Sequence, residues 1–121
     1  MWQSLLVSEA LKQVTNWITV VEAAEKLNMP IGKIRRLIEE HSLIAIKVDG
    51  VQRIPADLIA SGEPLPSLRG TIFVLLDSGF DLAGAIDWLF TVEDSLQMTP
   101  MAALLAGRKA EIRRLAQALA L

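Results

Sequence analysis

Residues 17 to 58 hold two predicted helices, a turn with a proline between them, and a hairpin sequence after them. Thr19 and Glu22 have the spacing of a capping box, which predicts that the first helix begins there. Asn28 is suited to a helix end, whereas Pro30 suits the first turn of a new helix but not a helix interior. The first helix would bury apolar residues that recur at three- and four-residue intervals: Val20, Ala23, Ala24 and Leu27. This order of elements is that of a winged helix-turn-helix, a fold unit shaped to enter the major groove of DNA.

The second predicted helix, from Ile31 to about Glu40, separates apolar from charged positions. With about 100° between successive residues, one arc is apolar and the opposite arc is polar. The cations crowd the first turns, the part of a recognition helix that reaches base edges and phosphates, and Gly32 would let the backbone approach closely. An ordinary solvated helix face is the plain alternative. The apolar arc holds Ile31, Ile34, Leu37 and Ile38, and the polar arc holds Gly32, Lys33, Arg36 and Glu40, with Arg35 and Glu39 on its flank.

The hairpin around Asp49 and Gly50 allows two registers. A two-residue turn would place Arg53 opposite Ile46 and so mix a charge into an apolar surface. We therefore predict a three-residue loop, residues 48 to 50, in which Gly50 takes the left-handed conformation.

This register sets Ile44 opposite Ile54, keeps Ile46 on their inner face and leaves two cations together on the outer face. A wing of that kind can straddle a phosphate backbone beside the groove that the second helix enters. Its plain alternative is an ordinary exposed hairpin. The polar residues that we assign to the wing are Lys47, Gln52 and Arg53.

Several stretches of the chain resemble a known class of DNA-binding domain. Trp17–Ala24, Ile34–Ile38 and Arg53–Leu58 are similar to the excisionase and MerR-like winged helix-turn-helix domains. Taken with Ala85–Thr91 and Arg113–Ala118, nearly the whole chain resembles a family of small actinobacterial DNA-binding proteins whose mycobacterial member is a serine/threonine kinase substrate.

This resemblance implies DNA binding by the first half and adds a C-terminal helical domain. Because the chain starts close to its first predicted helix, we expect no long N-terminal tail of the kind that a kinase would modify. The positions that match the DNA-binding residues of the family are Lys33, Arg35, Arg36, Lys47 and Arg53.

Composition and charge limit the possible functions. The chain of 121 residues is 52% hydrophobic, which suits one compact domain or two very small ones that share a core. Twelve basic and 14 acidic residues give a net charge of -2, so any nucleic-acid surface must be a local patch. Residues 31 to 53 carry five cations and three anions, whereas residues 54 to 121 carry five cations and eight anions. Uninterrupted apolar stretches such as Ile72 to Leu76 are far too short to cross a bilayer, so we expect a soluble cytoplasmic protein.

Residues 61 to 67 concentrate turn-forming residues and two prolines, and they predict a connector before a helical second half. Ser67 can cap a helix through Leu76, and Asp81 can cap another through Phe90. Thr99 and Pro100 start a short helix ending near Gly107, and residues 108 to 121 form the last one. Most of the bulky residues of this half would form a core: Phe73, Leu76, Phe80, Ile86, Trp88, Leu89 and Phe90, with Ile112, Leu115, Ala116 and Leu119 of the last helix.

Two apolar stretches have both a structural and a functional interpretation. Residues 88 to 104 are similar to the toxin-binding region of certain Xre-type antitoxins, but core packing explains them as well. Joint exposure of Trp88, Phe90 and Met101 would instead indicate a partner or dimer surface. A further helical stripe before the DNA-binding unit is expected to pack on it: Trp2, Leu5, Leu6, Val14 and Trp17.

Enzymatic functions have little support in the sequence. The chain has no cysteine and one histidine, His41, so neither a thiolate metal site nor a histidine-centred triad can be assembled. His41 is expected at the end of the second helix. The sequence contains no glycine-rich phosphate-binding motif. The carboxylate pair Glu93 and Asp94 is predicted to lie in a solvent-exposed turn.

The sequence thus predicts a mostly α-helical protein with a small β-hairpin wing. We expect a winged helix-turn-helix domain over residues 1 to 62, with an extra N-terminal helix, and a C-terminal helical domain over 67 to 121. The predicted function is that of a transcriptional regulator that binds double-stranded DNA. A homodimer is compatible with this function, and we expect no cofactor, metal or membrane partner. The alternative is an adaptor or antitoxin-like module that binds a protein through the C-terminal half. The predicted DNA-binding residues are Thr19, Gly32, Lys33, Arg35, Arg36, Lys47, Gln52 and Arg53.

Overall fold

The computed structural model of the protein describes residues 12 to 60 and 62 to 119. Its N-terminal part consists of strand β1 (Trp17–Thr19), helices α1 (Val20–Leu27) and α2 (Ile31–Glu39), and strands β2 (Ile46–Val48) and β3 (Val51–Pro55). A short 3-10 helix, Ala56–Ile59, follows β3. The C-terminal part consists of α3 (Leu68–Asp77), α4 (Leu82–Leu89), α5 (Pro100–Leu105) and α6 (Lys109–Ala118). The predicted class, helical with a small wing, is confirmed.

Helix α1 has the ends that its sequence predicts. The backbone N–H of Glu22 donates to the Thr19 hydroxyl at 3.1 Å, and the backbone N–H of Thr19 donates to the Glu22 carboxylate at 2.9 Å. This capping box satisfies two N–H groups that the helix itself leaves open. At the other end Asn28 is left-handed, with φ 54°, and the chain turns through Met29 and Pro30 into α2.

The three strands form one antiparallel sheet in the order β1, β3, β2. The predicted hairpin register is wrong, because Ile46 pairs with Arg53 and Val48 pairs with Val51 across a two-residue turn. Both turn residues, Asp49 and Gly50, have positive φ (52° and 80°), as in the type I′ turns that match the twist of paired strands.

The expected conflict of Arg53 with an apolar surface does not arise. Arg53 is exposed, while Ile46 across from it is buried. The long aliphatic stem of an arginine allows its charged end to reach water from a position beside apolar neighbours. Residues paired across strands share a face, so Lys47 lies on the face of Gln52 and Arg53 on the opposite one. The prediction that Lys47 and Arg53 share one outer face is therefore corrected.

Strand β1 was not expected from the sequence. Trp17, predicted to continue an N-terminal apolar helix, lies in this strand and pairs with Pro55, and Ile18 pairs with Ile54. The predicted pairing of Ile44 with Ile54 is thus also wrong, although both side chains are buried. Of the other members of the predicted stripe, Val14 is buried, and Trp2, Leu5 and Leu6 lie outside the described residues.

The four helices predicted for the second half are all present. Asp81 accepts a hydrogen bond from the backbone N–H of Gly84 at 2.8 Å, and Thr99 accepts one from that of Ala102 at 3.0 Å. These side chains begin α4 and α5 as predicted. Ser67 precedes α3 but makes no side-chain cap.

The buried apolar residues of both parts form one continuous core. Ile86, Leu89, Ile112 and Ala116 lie in it as predicted, but Phe73 and Leu119 are 38% and 39% exposed. The interior of the C-terminal part depends instead on aliphatic residues of α3 that the sequence prediction passed over: Leu68, Ile72 and Leu75.

Phe73 lies at the surface where α3 meets the end of α2. The His41 ring contacts the Phe73 ring edge-on at 5.3 Å between centroids, and the Arg69 guanidinium lies 5.0 Å from the same ring. The Nε–H of Arg69 donates to the backbone carbonyl of Glu40 at 3.0 Å. His41 is left-handed, with φ 63°, at the end of α2, where the sequence predicted it. The division into units at 1 to 62 and 67 to 121 stays a prediction, but these contacts show where the two ranges meet.

Candidate nucleic-acid interface

The solvent-facing side of α2 carries the predicted cations. Lys33, Arg35 and Arg36 are exposed, whereas Ile34 and Leu37 on the opposite side are 0% and 8% exposed. Gly32 is also exposed, and a Cβ placed on it would have no neighbour within 4 Å. A ligand can therefore approach the backbone of the first turn of α2 without hindrance.

The start of α2 is chemically open. Pro30 precedes the helix, provides no side-chain cap and has no N–H of its own. The N–H groups of Ile31 and Gly32 have no acceptor among the described residues. No acidic residue occupies the first turn, and Lys33 adds a positive charge there. Free N–H groups, the positive end of the helix dipole and a lysine together favour an anion at this position.

The described part of the chain leaves the cations of α2 and of the wing without ion pairs. In residues 12 to 60 and 62 to 119, none of them takes part in a salt bridge or a side-chain hydrogen bond. By contrast, Arg108 binds the carboxylate of Glu111 with two hydrogen bonds of 2.8 and 2.9 Å. The unpaired cations are Lys33, Arg35, Arg36, Lys47 and Arg53.

The wing residues separate into two positions. Arg53 pairs across the sheet with Thr19, which places it beside the start of α1. Lys47 pairs with Gln52 near the hairpin turn, where Lys47 is exposed and Gln52 is half-buried. The sheet therefore presents one cation beside α1 and one at its outer end, rather than a pair on one face.

Thr19 serves first as a structural residue. Its hydroxyl oxygen accepts a hydrogen bond from the backbone N–H of Glu22. Hydrogen bonds from the Thr19 backbone and side chain hold the pKa of the Glu22 carboxyl below its ordinary value, with a smaller contribution from Lys26. A carboxylate thus already occupies the start of α1, so this helix end is less suited to an external anion than that of α2.

The apolar C-terminal residues considered as a partner surface do not form one. Met101 is buried, and Trp88 and Phe90 are half-buried against the core. The condition for a dimer surface there, joint exposure, is not met. Within the described ranges, no group of three or more histidine, aspartate or glutamate side chains could hold a metal ion, and no helix is long and apolar enough to span a bilayer.

Comparison with known proteins assigns both halves of the chain. Residues 6–59 match the family described as "DNA-binding protein Rv2175c, wHTH domain", and residues 65–120 match "Rv2175c C-terminal domain of unknown function". The DNA-binding protein Rv2175c of Mycobacterium tuberculosis (strain ATCC 25618 / H37Rv) is 33% identical over 110 residues, which are 80% of this chain and 75% of the relative. The NMR structure of Rv2175c superposes with a TM-score of 0.78 at 29% identity, over 88% of this chain and 82% of that one. The resemblance to a small family with a mycobacterial member is confirmed.

Proposed function

The chain belongs to the family of the DNA-binding protein Rv2175c, and from this premise we propose that it is a transcriptional regulator that binds double-stranded DNA. The first turns of α2 enter the major groove, where Arg36 and Arg35 face base edges. Lys33 and the free N–H groups of Ile31 and Gly32 hold a phosphate at the groove edge. The protein acts by binding rather than by catalysis. Because its proposed partner is double-stranded DNA, its proposed location is the cytoplasm.

The observation that carries this proposal is the set of five exposed, unpaired cations on α2 and on the sheet beside it. An arginine or lysine that only solubilises a surface commonly has carboxylates among its neighbours. Here Glu39 and Glu40 lie one turn after Arg35 and Arg36 but form no salt bridge with them among the described residues, and the first turn of α2 holds no acidic residue. The start of α2, which is proposed to enter the groove, is therefore positively charged, although the net charge of the chain is -2.

The corrected register changes how the wing contacts DNA. Lys47, near the hairpin tip, reaches the backbone on one side of the groove. Arg53, which pairs with Thr19 across the sheet, contacts a second backbone phosphate through its exposed guanidinium. Two separate backbone contacts orient a duplex better than two cations on a single phosphate.

The proposal is tested by mobility shift of the full chain with duplexes of mixed sequence at two salt concentrations, followed by selection of bound duplexes from a random pool. We expect retention that weakens with salt and a recurring sequence among the selected duplexes. Symmetric selected sites indicate a homodimer on two half-sites, and a single half-site indicates a monomer. Retention that is insensitive to salt, with Lys33→Ala and Arg35→Ala behaving as the parent, contradicts the proposal.

A further inference from the structure

A groove of about 670 Å³ lies on the C-terminal part, outside the surface proposed for DNA. One wall is the connector at Leu65–Ser67, the second is the end of α5 with Leu104 and Leu105, and the third is the outer face of α6. We call it the α6 groove. Its volume lies within the range of about 300 to 1,000 Å³ that is typical of ligand sites in proteins.

The α6 wall of this groove is cationic. Lys109, Arg113 and Arg114 line it, all three are exposed, and none forms an ion pair with a described residue. Glu111, the one acidic residue of α6, is paired with Arg108 instead. Like charges four positions apart on a helix, here Lys109 and Arg113, repel each other, so this pair destabilises the free protein slightly. These three cations are clustered in a part of the chain that is acidic overall, since residues 54 to 121 carry five cations and eight anions.

Gly70 of α3 helps to position one of these cations. A Cβ at Gly70 would overlap the guanidinium of Arg113, which lies against α3 at this point. Gly70 has no positive φ, so its own backbone does not require glycine. Glycine inside a helix is less favourable than alanine. At this position it leaves the flexible end of the Arg113 side chain in contact with α3, at the edge of the groove.

The other walls of the groove are apolar, and this distinguishes its ligand from a nucleic acid. Leu105 is 43% exposed, Leu65 is half-buried, and Leu104 beneath them is buried. A phosphate backbone would satisfy the cations but would leave Leu105 without an apolar partner. A polypeptide helix with acidic residues on one side and leucine-like residues on another satisfies both walls.

We propose that the α6 groove binds an acidic amphipathic segment of another protein. The apolar side chains of this segment pack against Leu65 and Leu105, and its carboxylates pair with Lys109, Arg113 and Arg114. Carboxylate binding relieves the mutual repulsion of these cations and suits the planar guanidinium groups. The site uses none of the residues proposed for DNA, so one molecule of this chain can hold a duplex and a protein together.

The test uses the full chain and two fluorescein-labelled helical peptides of about 18 residues. Both peptides carry leucine at alternate three- and four-residue spacings, one with glutamate and the other with lysine at the remaining positions. Fluorescence anisotropy is expected to show at least about tenfold tighter binding of the glutamate peptide. The double variant Arg113→Glu/Arg114→Glu is expected to weaken that binding about tenfold, and Leu105→Ser about fivefold.

Two controls keep the proposal falsifiable. Lys26→Glu, a charge reversal on α1, is expected to leave peptide binding unchanged. Lys109→Glu/Arg114→Glu repeats the test without altering the side chain that lies over Gly70, and circular dichroism verifies the fold of each variant. Equal binding of the two peptides, or no effect of either double variant, overturns the proposal.

The same variants distinguish an acidic segment from two other occupants of the α6 groove, a DNA duplex and a second copy of the chain. Displacement of the peptide by a random-sequence duplex, with duplex affinity lowered by the Arg113 and Arg114 reversals, would assign these cations to DNA. A dimer in sedimentation that dissociates on the same reversals would assign the groove to a second copy of the chain. Either result overturns the proposal without affecting the assignment of α2 to the major groove.

Discussion

The two helices of the helix-turn-helix begin in opposite ways. Helix α1 is closed by its own residues, because Thr19 and Glu22 satisfy each other's backbone N–H groups. Helix α2 follows Pro30 with no side-chain cap, no acidic residue in its first turn and a lysine at its third position. The difference shows which helix end stabilises the fold and which is left available to an external anion.

The largest expected effect comes from the open helix. Arg36→Ala is expected to weaken binding to a selected duplex by about 1 to 3 kcal/mol if its guanidinium reads a guanine, because both hydrogen bonds to the base are lost. Fluorescence anisotropy at fixed salt measures the change. Lys26→Ala removes a cation of α1 and serves as the matched control, expected to bind as the parent. Equal affinities of Arg36→Ala and parent would show that this side chain only faces solvent.

A second prediction closes the start of α2. Pro30→Asp and Pro30→Asn both supply a side-chain cap, but only the aspartate adds negative charge. The free energy of unfolding should change by less than about 0.5 kcal/mol in both, because the new cap offsets the lost restriction of the proline. We expect duplex affinity to fall about fivefold in Pro30→Asp relative to Pro30→Asn, since the carboxylate occupies the position proposed for a phosphate. Similar affinities of the two variants would argue against a phosphate there.

A third prediction opens the start of α1. Thr19→Ala removes the cap and should lower the free energy of unfolding by about 1 kcal/mol, measured by urea denaturation. Thr19→Ser retains a hydroxyl and should recover most of the loss. If both variants were as stable as the parent, the capping box would contribute nothing to the fold.

The smallest effect concerns pH. The pKa of Glu22 is lowered by its hydrogen bonds to Thr19, so its ionised form is favoured in the folded state. This contribution is present above the ordinary pKa of a glutamate and is lost as pH falls through the lowered value. Glu22→Gln should therefore lose less stability than the parent on acidification from about pH 6 to about pH 3. Parallel stability profiles for the two proteins would contradict the shift.

Local chemistry explains which parts of the fold were predictable. The box at Thr19 and Glu22, the left-handed Asn28 and the caps at Asp81 and Thr99 depend on a few neighbouring residues, and the structure contains all of them. The prediction of the hairpin register failed because it treated a charge opposite Ile46 as incompatible with an apolar surface, whereas the long side chain of Arg53 reaches water from that position. Strand β1 was missed because its three residues are too few to show a period of two.

The candidate site was predictable in its residues but not in its arrangement. The apolar period of α2 predicted that Ile34 and Leu37 are buried and that the cations face solvent, and their burial agrees, whereas Ile31, placed on the same apolar arc, is 41% exposed. The separation of Lys47 from Arg53 depends on strand pairing and could not be read from spacing. The position of Phe73 at the surface, in contact with His41, likewise depends on residues far apart in the chain, since His41 lies 32 positions earlier. The α6 groove was missed because one of its walls, residues 65 to 67, lies far in sequence from the other two, which α5 and α6 form.

The salt dependence of duplex binding tests the central claim most directly. If about four cations of α2 and the wing contact phosphates, the slope of log affinity against log salt is predicted near -3.6 for the parent, about -0.9 for each contact. Lys33→Ala should reduce the steepness by about 0.9, to about -2.7, while Lys26→Ala should leave the slope unchanged. Identical slopes for the parent and Lys33→Ala would contradict a phosphate contact at the open start of α2.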